Sequence, residues 1–345
     1  MNLVCNIGIR VFILLMLINL SMSAFNNHDI STRTKRDYFK TTGYSEVKSM
    51  PKISPSQIKQ ELQRGEACEK NDVFMEKNDD WCPPLLAIIT ESDAVSSRLR
   101  MDETINTLCQ VMRDGSVDLI SIRCIQNDDK NESKDFVERV IELTKKLLAY
   151  RRELSTSSTK YSVKRLPKIV INDNLDAVLA SNADGIHVKE RNVSDIPLIR
   201  ETLDNLYNVN HNDDEVRTPK LIGTSAHSTN SAKHAVSQGK IDYLFVGTCY
   251  LTQSHPEKIC EDDLEGPHLP GLIRQTLLSD MNSRKTDVEK IPSIFAIGGI
   301  NDVNCWEPVE KGADGVALIR SVMQANNPVA ASNFIYQRMK EGKVI

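Results

Sequence analysis

Two glycine-bearing stretches near the C-terminus have the residue types to hold a phosphate. Ala296-Ile297-Gly298-Gly299-Ile300 and Gly312-Ala313-Asp314-Gly315-Val316-Ala317-Leu318-Ile319 each set a glycine turn beside a short apolar run. Glycines directly after a buried strand let backbone N–H groups approach an anion closely. Where such turns end the last two strands of a β/α barrel, they form a phosphate site. Polar residues that follow other apolar runs complete a candidate ring: Ser121 and Arg123, Asn172 and Asp173, His187 to Asn192, Thr224 to His227, and Thr252 to His255. A guanidinium such as that of Arg123 forks onto a phosphate or diphosphate. A carboxylate such as that of Asp173 holds Mg2+ together with substrate phosphates. Taken singly, a strand-end arginine suits a surface ion pair, and Asn172-Asp173 suits a turn or helix cap. His187, inside an apolar run, suits a packed histidine better than a base. Their joint occurrence at one rim points to an enzyme acting on a phosphorylated small molecule.

The elements that must position these residues begin at Pro84, where short apolar runs start to alternate with stretches of helical period. Strands are expected at 85–89, 117–122, 168–171, 185–188, 221–223, 243–246, 293–297 and 315–319. Helices are expected near 101–113, 133–152, 175–179, 194–206, 229–237, 270–279, 302–311 and 328–340. Eight such units over about 260 residues predict a (β/α)8 TIM barrel. An open doubly wound sheet competes, but it calls for a Gly-x-Gly-x-x-Gly turn after an early strand, and the chain has none. Ala183-Asp184-Gly185-Ile186 and Ala313-Asp314-Gly315-Val316 echo one another four strands apart, as half-barrel symmetry would give. The loop 248–269 leaves the C-terminal end of the sixth strand and is placed to cover a site there. The polar insertions 207–216 and 280–290 belong to the opposite face.

Composition bounds the rest. Hydrophobic residues at 40% and charged residues at 26% are ordinary for a soluble globular chain. A net charge of −4 with no long basic block excludes an obvious nucleic-acid surface. The cysteines form no Cys-x-x-Cys pair, so there is no zinc or dithiol motif. Val11 to Leu20 is an apolar run too short to span a bilayer comfortably. With Arg10 before it and Ser21, Ser23 and Ala24 after it, residues 1–24 read as a signal peptide. That leaves no stable membrane span in the mature chain. Residues 25–48, with Ser31-Thr32-Arg33-Thr34-Lys35-Arg36, read as a possible transit peptide, although Asp29, Asp37 and Glu46 are unusual there. Ser23-Ala24-Phe25 resembles the cleavage motif of plastid proteins in algae with secondary plastids. Plastid import through a secretory signal is therefore expected, with secretion or endomembrane residence as the alternative. Residues 49–83 form a polar extension and 84–341 the barrel.

Six motifs in order carry a resemblance to a known family. Ile171-Asn172-Asp173, Ala183-Asp184-Gly185-Ile186-His187, Gly223-Thr224-Ser225-Ala226-His227, Asp242-Tyr243-Leu244-Phe245-Val246-Gly247, Ala296-Ile297-Gly298-Gly299-Ile300 and Gly312-Ala313-Asp314-Gly315-Val316-Ala317 closely resemble the thiamine phosphate synthase and TenI family. The resemblance runs from about Leu85 to Met339. It implies Mg2+ and a dissociative transfer of a pyrimidine from its diphosphate to a thiazole phosphate, releasing pyrophosphate. It implies that Arg123 and Asn172 bind the pyrimidine diphosphate, that Asp173 holds the metal, and that Ser225 stabilises the reacting centre and leaving group. It assigns Thr252, Ser254, Gly299 and the Ile319-Arg320 turn to the thiazole phosphate, with Gly298 beside them.

The chain departs from the synthase pattern at several positions. Ser121-Ile122-Arg123-Cys124-Ile125 replaces Gln-x-Arg-x-Lys, the second metal aspartate falls at Asn192, and His255 stands where a diphosphate lysine is expected. Lys189, Lys258 and Arg320 are the basic residues that could compensate. The alternatives are a TenI-like thiazole tautomerase with His227 as acid or base, toward which Leu264-Glu265-Gly266 leans, and a phosphate-binding barrel without catalysis.

Overall fold

The computed structural model describes residues 81–114, 116–124, 134–156, 166–209, 220–284 and 290–342. The expected signal and transit peptides and nearly all of the polar extension lie outside the described residues, as does Ile125. In chain order the elements are β1 (Leu85–Ile89), α1 (Arg98–Asp114), β2 (Leu119–Ile122), α2 (Lys134–Thr156), β3 (Lys168–Asn172), α3 (Leu175–Ser181) and β4 (Gly185–Val188). A 3-10 turn at Glu190–Asp195 leads into α4 (Ile196–Val209), followed by β5 (Leu221–Ala226), α5 (Thr229–Ser237) and β6 (Tyr243–Val246). A second 3-10 turn at Glu261–Asp263 precedes α6 (Leu269–Arg284), and then come β7 (Ser293–Ile297), α7 (Trp306–Glu310), β8 (Gly315–Leu318), α8 (Arg320–Met323) and α9 (Pro328–Glu341).

All neighbouring strands pair in parallel, and β8 returns to β1 with Leu85 opposite Gly315, closing the expected (β/α)8 barrel. Each strand is buried on both faces, which is why the strands read as continuous apolar runs rather than as alternating ones. Leu85, Ala87, Ile89, Leu119, Val170, Tyr243, Phe245, Phe295 and Ala317 fill the interior. Leu86, Ile88, Ile120, Ile171, Leu244 and Val316 face the surrounding helices. Trp81, just ahead of β1, packs on Tyr243 and Phe295 at centroid distances of 5.9 and 5.6 Å.

Even-numbered strands are stitched to their predecessors by one repeated device. Asp118, Asp184, Asp242 and Asp314 each stand directly before β2, β4, β6 and β8. Their Oδ2 atoms accept the backbone N–H groups of Leu86 (2.8 Å), Ile169 (2.6 Å), Ile222 (2.7 Å) and Ile294 (2.8 Å). Their own N–H groups donate back to the carbonyls of the same four residues. Arg151, Arg200 and Arg274 neutralise three of the carboxylates. The Ala-Asp-Gly echo read in the sequence is thus half of a fourfold register clamp. Its glycine has a packing reason, because a Cβ on Gly315 would run into the Leu85 carbonyl.

Differences from the expected elements have local causes. β5 runs on to Ala226 because Ser225 and Ala226 pair with Phe245 and Val246. The expected helix at 302–311 narrows to Trp306–Glu310, and the one-turn helix α8 was not expected at all.

Candidate active site

The C-terminal ends of the strands open into one cleft of about 800 Å³. Arg123 leaves β2, and its backbone N–H is fixed on Thr90 Oγ1 at 2.9 Å. Its guanidinium is held below the usual arginine range, first by burial and then by the nearby positive charge of Arg320. Arg320 begins α8 and donates from Nη2 to Thr252 Oγ1 at 2.9 Å, which ties the loop after β6 to the end of β8. Among the described residues neither guanidinium is paired with a carboxylate. Two such cations facing one cleft make an anion site.

The glycine pair, at the end of β7 and next to β8, forms a further wall. Gly298 and Gly299 both lie in the left-handed region, with φ of 101° and 63°. The loop after β6 crosses them, with Cys249 N–H on Ile297 O (2.9 Å) and Tyr250 N–H on Gly298 O (3.0 Å). A Cβ would meet Thr248 Cγ2 at 2.6 Å from Gly298 and Leu251 O at 2.5 Å from Gly299. Only glycine fits both the turn and the crossing. Among the described residues no backbone acceptor takes the N–H of Gly298 or Gly299. Ser254 and Ile319 complete this wall.

On the floor, Ser121 Oγ–H donates to Asn172 Oδ1, so the Asn172 amide is oriented with its NH2 group free for a ligand. Ser121 itself is fully buried and does not line the cleft. Ser225 Oγ lies 3.0 Å from His187 Nε2, and His187 Nδ1 lies 3.3 Å from the Tyr243 hydroxyl. The imidazole is stacked on Phe245 at 4.5 Å and is 3% exposed. Burial lowers its pKa to about 3, so it is neutral at physiological pH. Burial likewise keeps the Tyr243 phenol protonated. A phenol with no other side-chain partner among the described residues donates to Nδ1, which leaves Nε2–H to donate to Ser225. The Ser225 hydroxyl proton then points elsewhere, to a ligand. His187 is packed, as its sequence context suggested, and it also positions Ser225. No motif signals that second task, because Ser225 comes from the neighbouring strand.

His227 lines the same cleft and meets Glu190 through Nδ1. Glu190 falls in the His187 to Asn192 stretch of the expected ring, where it carried no assigned role. Asp173 and Asn192 are adjacent to each other but stand outside the cleft lining. Asp173 has φ 55°. Its Oδ1 and Oδ2 accept from Asn192 Nδ2 at 3.0 and 2.9 Å, its Oδ1 from Lys189 N–H at 3.2 Å, and its Oδ2 lies 3.6 Å from Lys189 Nζ. Lys189 itself lines the cleft. Lys258 does not: its ammonium grips both oxygens of Glu265 at 2.7 Å, and Glu265 in turn accepts the Thr248 N–H. The Leu264-Glu265-Gly266 stretch therefore fastens the loop after β6.

The barrel is similar to known proteins along most of its length. Residues 86–322 match the TMP-TENI family, described as thiamine monophosphate synthase. The thiamine-phosphate synthase of Chloroflexus aurantiacus is 33% identical over 164 residues, which span 48% of this chain and 61% of that protein. That of Geobacillus thermodenitrificans is 30% identical over 196 residues, 57% of this chain and 73% of that protein. In fold, the chain is similar to a thiamine phosphate pyrophosphorylase from Pyrococcus furiosus, with a TM-score of 0.51 and 20% identity over 74% of this chain and 96% of that one. With more than half of its length matched to one family, the chain belongs to the thiamine monophosphate synthase (TMP-TENI) family.

Proposed function

We propose that the protein is a thiamine-phosphate synthase that joins hydroxymethylpyrimidine diphosphate to thiazole phosphate and releases pyrophosphate. The observation that carries this reading is a single cleft with room for two small substrates, in which Arg123 and Arg320 have no carboxylate partner among the described residues. Arg123 and the Asn172 NH2 group hold the diphosphate. The Gly298–Gly299 turn, Thr252, Ser254 and the Ile319-Arg320 turn hold the thiazole phosphate. The methylene–oxygen bond to the diphosphate breaks and its electron pair leaves with pyrophosphate. The thiazole nitrogen then forms the new carbon–nitrogen bond to the pyrimidine cation. Ser225, oriented by neutral His187, directs its hydroxyl proton at the leaving oxygen or the reacting centre, where fixed donors stabilise developing charge.

Mg2+ is the cofactor that the family resemblance implies. The residues present do not fit a protein-held Mg2+: one carboxylate, Asp173, already accepts from Asn192 and lies beside the Lys189 ammonium, and the second expected carboxylate is the neutral Asn192.

Incubating the purified full chain with both substrates, with and without Mg2+, and measuring thiamine phosphate tests the proposal. Product is expected, and its absence under both conditions overturns the reading. A second reading, thiazole tautomerase, is favoured by the Glu190–His227 pair, a histidine–carboxylate couple suited to proton transfer. His227→Asn would abolish tautomer interconversion while sparing synthase turnover.

For localisation, we infer that residues 1–48 direct the chain through the secretory route to a plastid, on the strength of Val11 to Leu20 and Ser23-Ala24-Phe25. A fluorescent reporter fused to residues 1–50 would enter the plastid. A secreted or endomembrane signal selects the alternative, and a cytosolic one overturns both.

A further inference from the structure

We propose that Lys189, anchored by Asp173, is a built-in counter-cation that binds the substrate diphosphate directly and stands in for a metal held between two carboxylates. The inference rests on the synthase reading for the identity of the ligand. It rests on this chain's own geometry for the rest.

Asp173 is 10% exposed in its side chain, and a carboxylate so placed needs compensation. Two neighbours supply it. The Asn192 amide donates to both Asp173 oxygens, at 3.0 and 2.9 Å, and the Lys189 ammonium lies 3.6 Å from Oδ2. Mg2+ accepts only oxygen ligands in a tight octahedron. An ion seated on Asp173 would have to displace the NH2 group of Asn192 and stand against the charge of Lys189. An Asp–Asp pair holding a divalent cation and an Asp–Asn pair holding an ammonium have the same net charge, zero. The aspartate expected at 192 and the metal are thus replaced together, at no electrostatic cost.

The ammonium is also available. At 3.6 Å its contact with Asp173 is an ion pair and not a hydrogen bond, and among the described residues no acceptor takes any of its three N–H groups. Asp173 therefore holds the head of Lys189 in place without consuming a donor. Lys189 lines the cleft with Arg123, Asn172 and Arg320, whereas Asp173 and Asn192 do not. Of the other two basic residues that could compensate for the missing lysines, Lys258 is engaged by Glu265 and the Asp263 carbonyl away from the lining. Arg320 is turned to Thr252, beside the glycine wall. The diphosphate cation on the β3–β4 side falls to Lys189.

Calorimetric titration of the full chain with inorganic pyrophosphate, in EDTA and in Mg2+, tests this. Wild-type protein is expected to bind pyrophosphate in EDTA. Lys189→Met should weaken that binding about 10- to 100-fold, the effect of losing a charged hydrogen-bond donor. Lys189→Arg should stay within severalfold of wild type. The double variant Lys189→Gly, Asn192→Asp should bind only when Mg2+ is added. Thermal melting of each variant separates loss of binding from loss of fold. Wild-type binding that requires Mg2+, no binding in either medium, or metal-free binding by folded Lys189→Met equal to wild type would each overturn the proposal. Lys189-dependent pyrophosphate binding without thiamine phosphate formation would overturn the synthase reading and leave this one standing.

Discussion

His187 shows how one buried side chain can serve both packing and chemistry. Its ring lies against Phe245 and Tyr243, and its edge reaches Ser225. Burial opposes the charged form and lowers the folded-state pKa to about 3 from an ordinary value near 6.5. Between those two values the unfolded chain binds a proton that the folded chain refuses. The stability this group confers is therefore complete above about pH 6.5 and is lost as pH falls toward 3. At about 1.4 kcal/mol per pH unit below the unfolded value, the loss from pH 7 to pH 5 is about 2 kcal/mol. Urea unfolding of wild type and of His187→Gln at the two pH values measures it: the variant should lack this share of the acid sensitivity, and equal pH slopes would refute the assignment. Residue identity alone did not expose this dual role. An apolar run marks a histidine as packed, but the hydroxyl at its edge comes from the next strand, which only the β4–β5 pairing brings into reach. Lys189 and Lys258 were likewise equal candidates in the sequence. The difference between them is an ion-pair partner, Asp173 for one and Glu265 for the other.

Among the elements, strands were more legible than helices. A strand buried on both faces announces itself as a short apolar run, and the bounds of β1, β4, β6 and β7 agree with those runs. Helix ends are set by capping and by packing on neighbouring strands, so α1 begins three residues earlier than its apolar period indicated. A single turn such as α8 has no period to read. The aspartate clamp lies between these cases. Its copies at Asp184 and Asp314 share the Ala-Asp-Gly context, whereas those at Asp118 and Asp242 have larger neighbours and look unrelated until the ladder is seen. The clamp makes a testable distinction between architecture and site. Asp242 holds the start of β6 to β5 and pairs with Arg200, at the barrel end opposite the cleft. Asp242→Ala removes a charged acceptor from a buried N–H and should lower unfolding stability by about 2–3 kcal/mol in urea titration. The KM for either substrate should stay unchanged, and a large KM effect would show that the clamp transmits to the cleft.

For the whole molecule, net charge and local charge have opposite signs. The chain carries −4, yet Arg123, Lys189, Arg191 and Arg320 line the cleft against the one carboxylate of Glu190. The barrel explains the gathering: its strand ends form a ring, so residues far apart in sequence become neighbours at one rim. That architecture was legible because eight buried runs repeat at regular spacing. The cations at the strand ends were legible too; which of them keep a carboxylate partner was not, since that depends on contacts across the rim. A cationic cleft in a low-dielectric wall focuses the field and speeds the capture of anions, and dissolved salt screens that attraction. Raising ionic strength from about 50 mM to about 500 mM should therefore lower kcat/KM for the pyrimidine diphosphate about tenfold. Inhibition by the uncharged hydroxymethylpyrimidine alcohol should not change, because it carries no charge for the rim to steer. The fall should be shallower in Arg123→Gln, which removes one of the four positive charges. If both ligands respond equally to salt, the dependence belongs to the protein's general stability, and the cleft field has no part in capture.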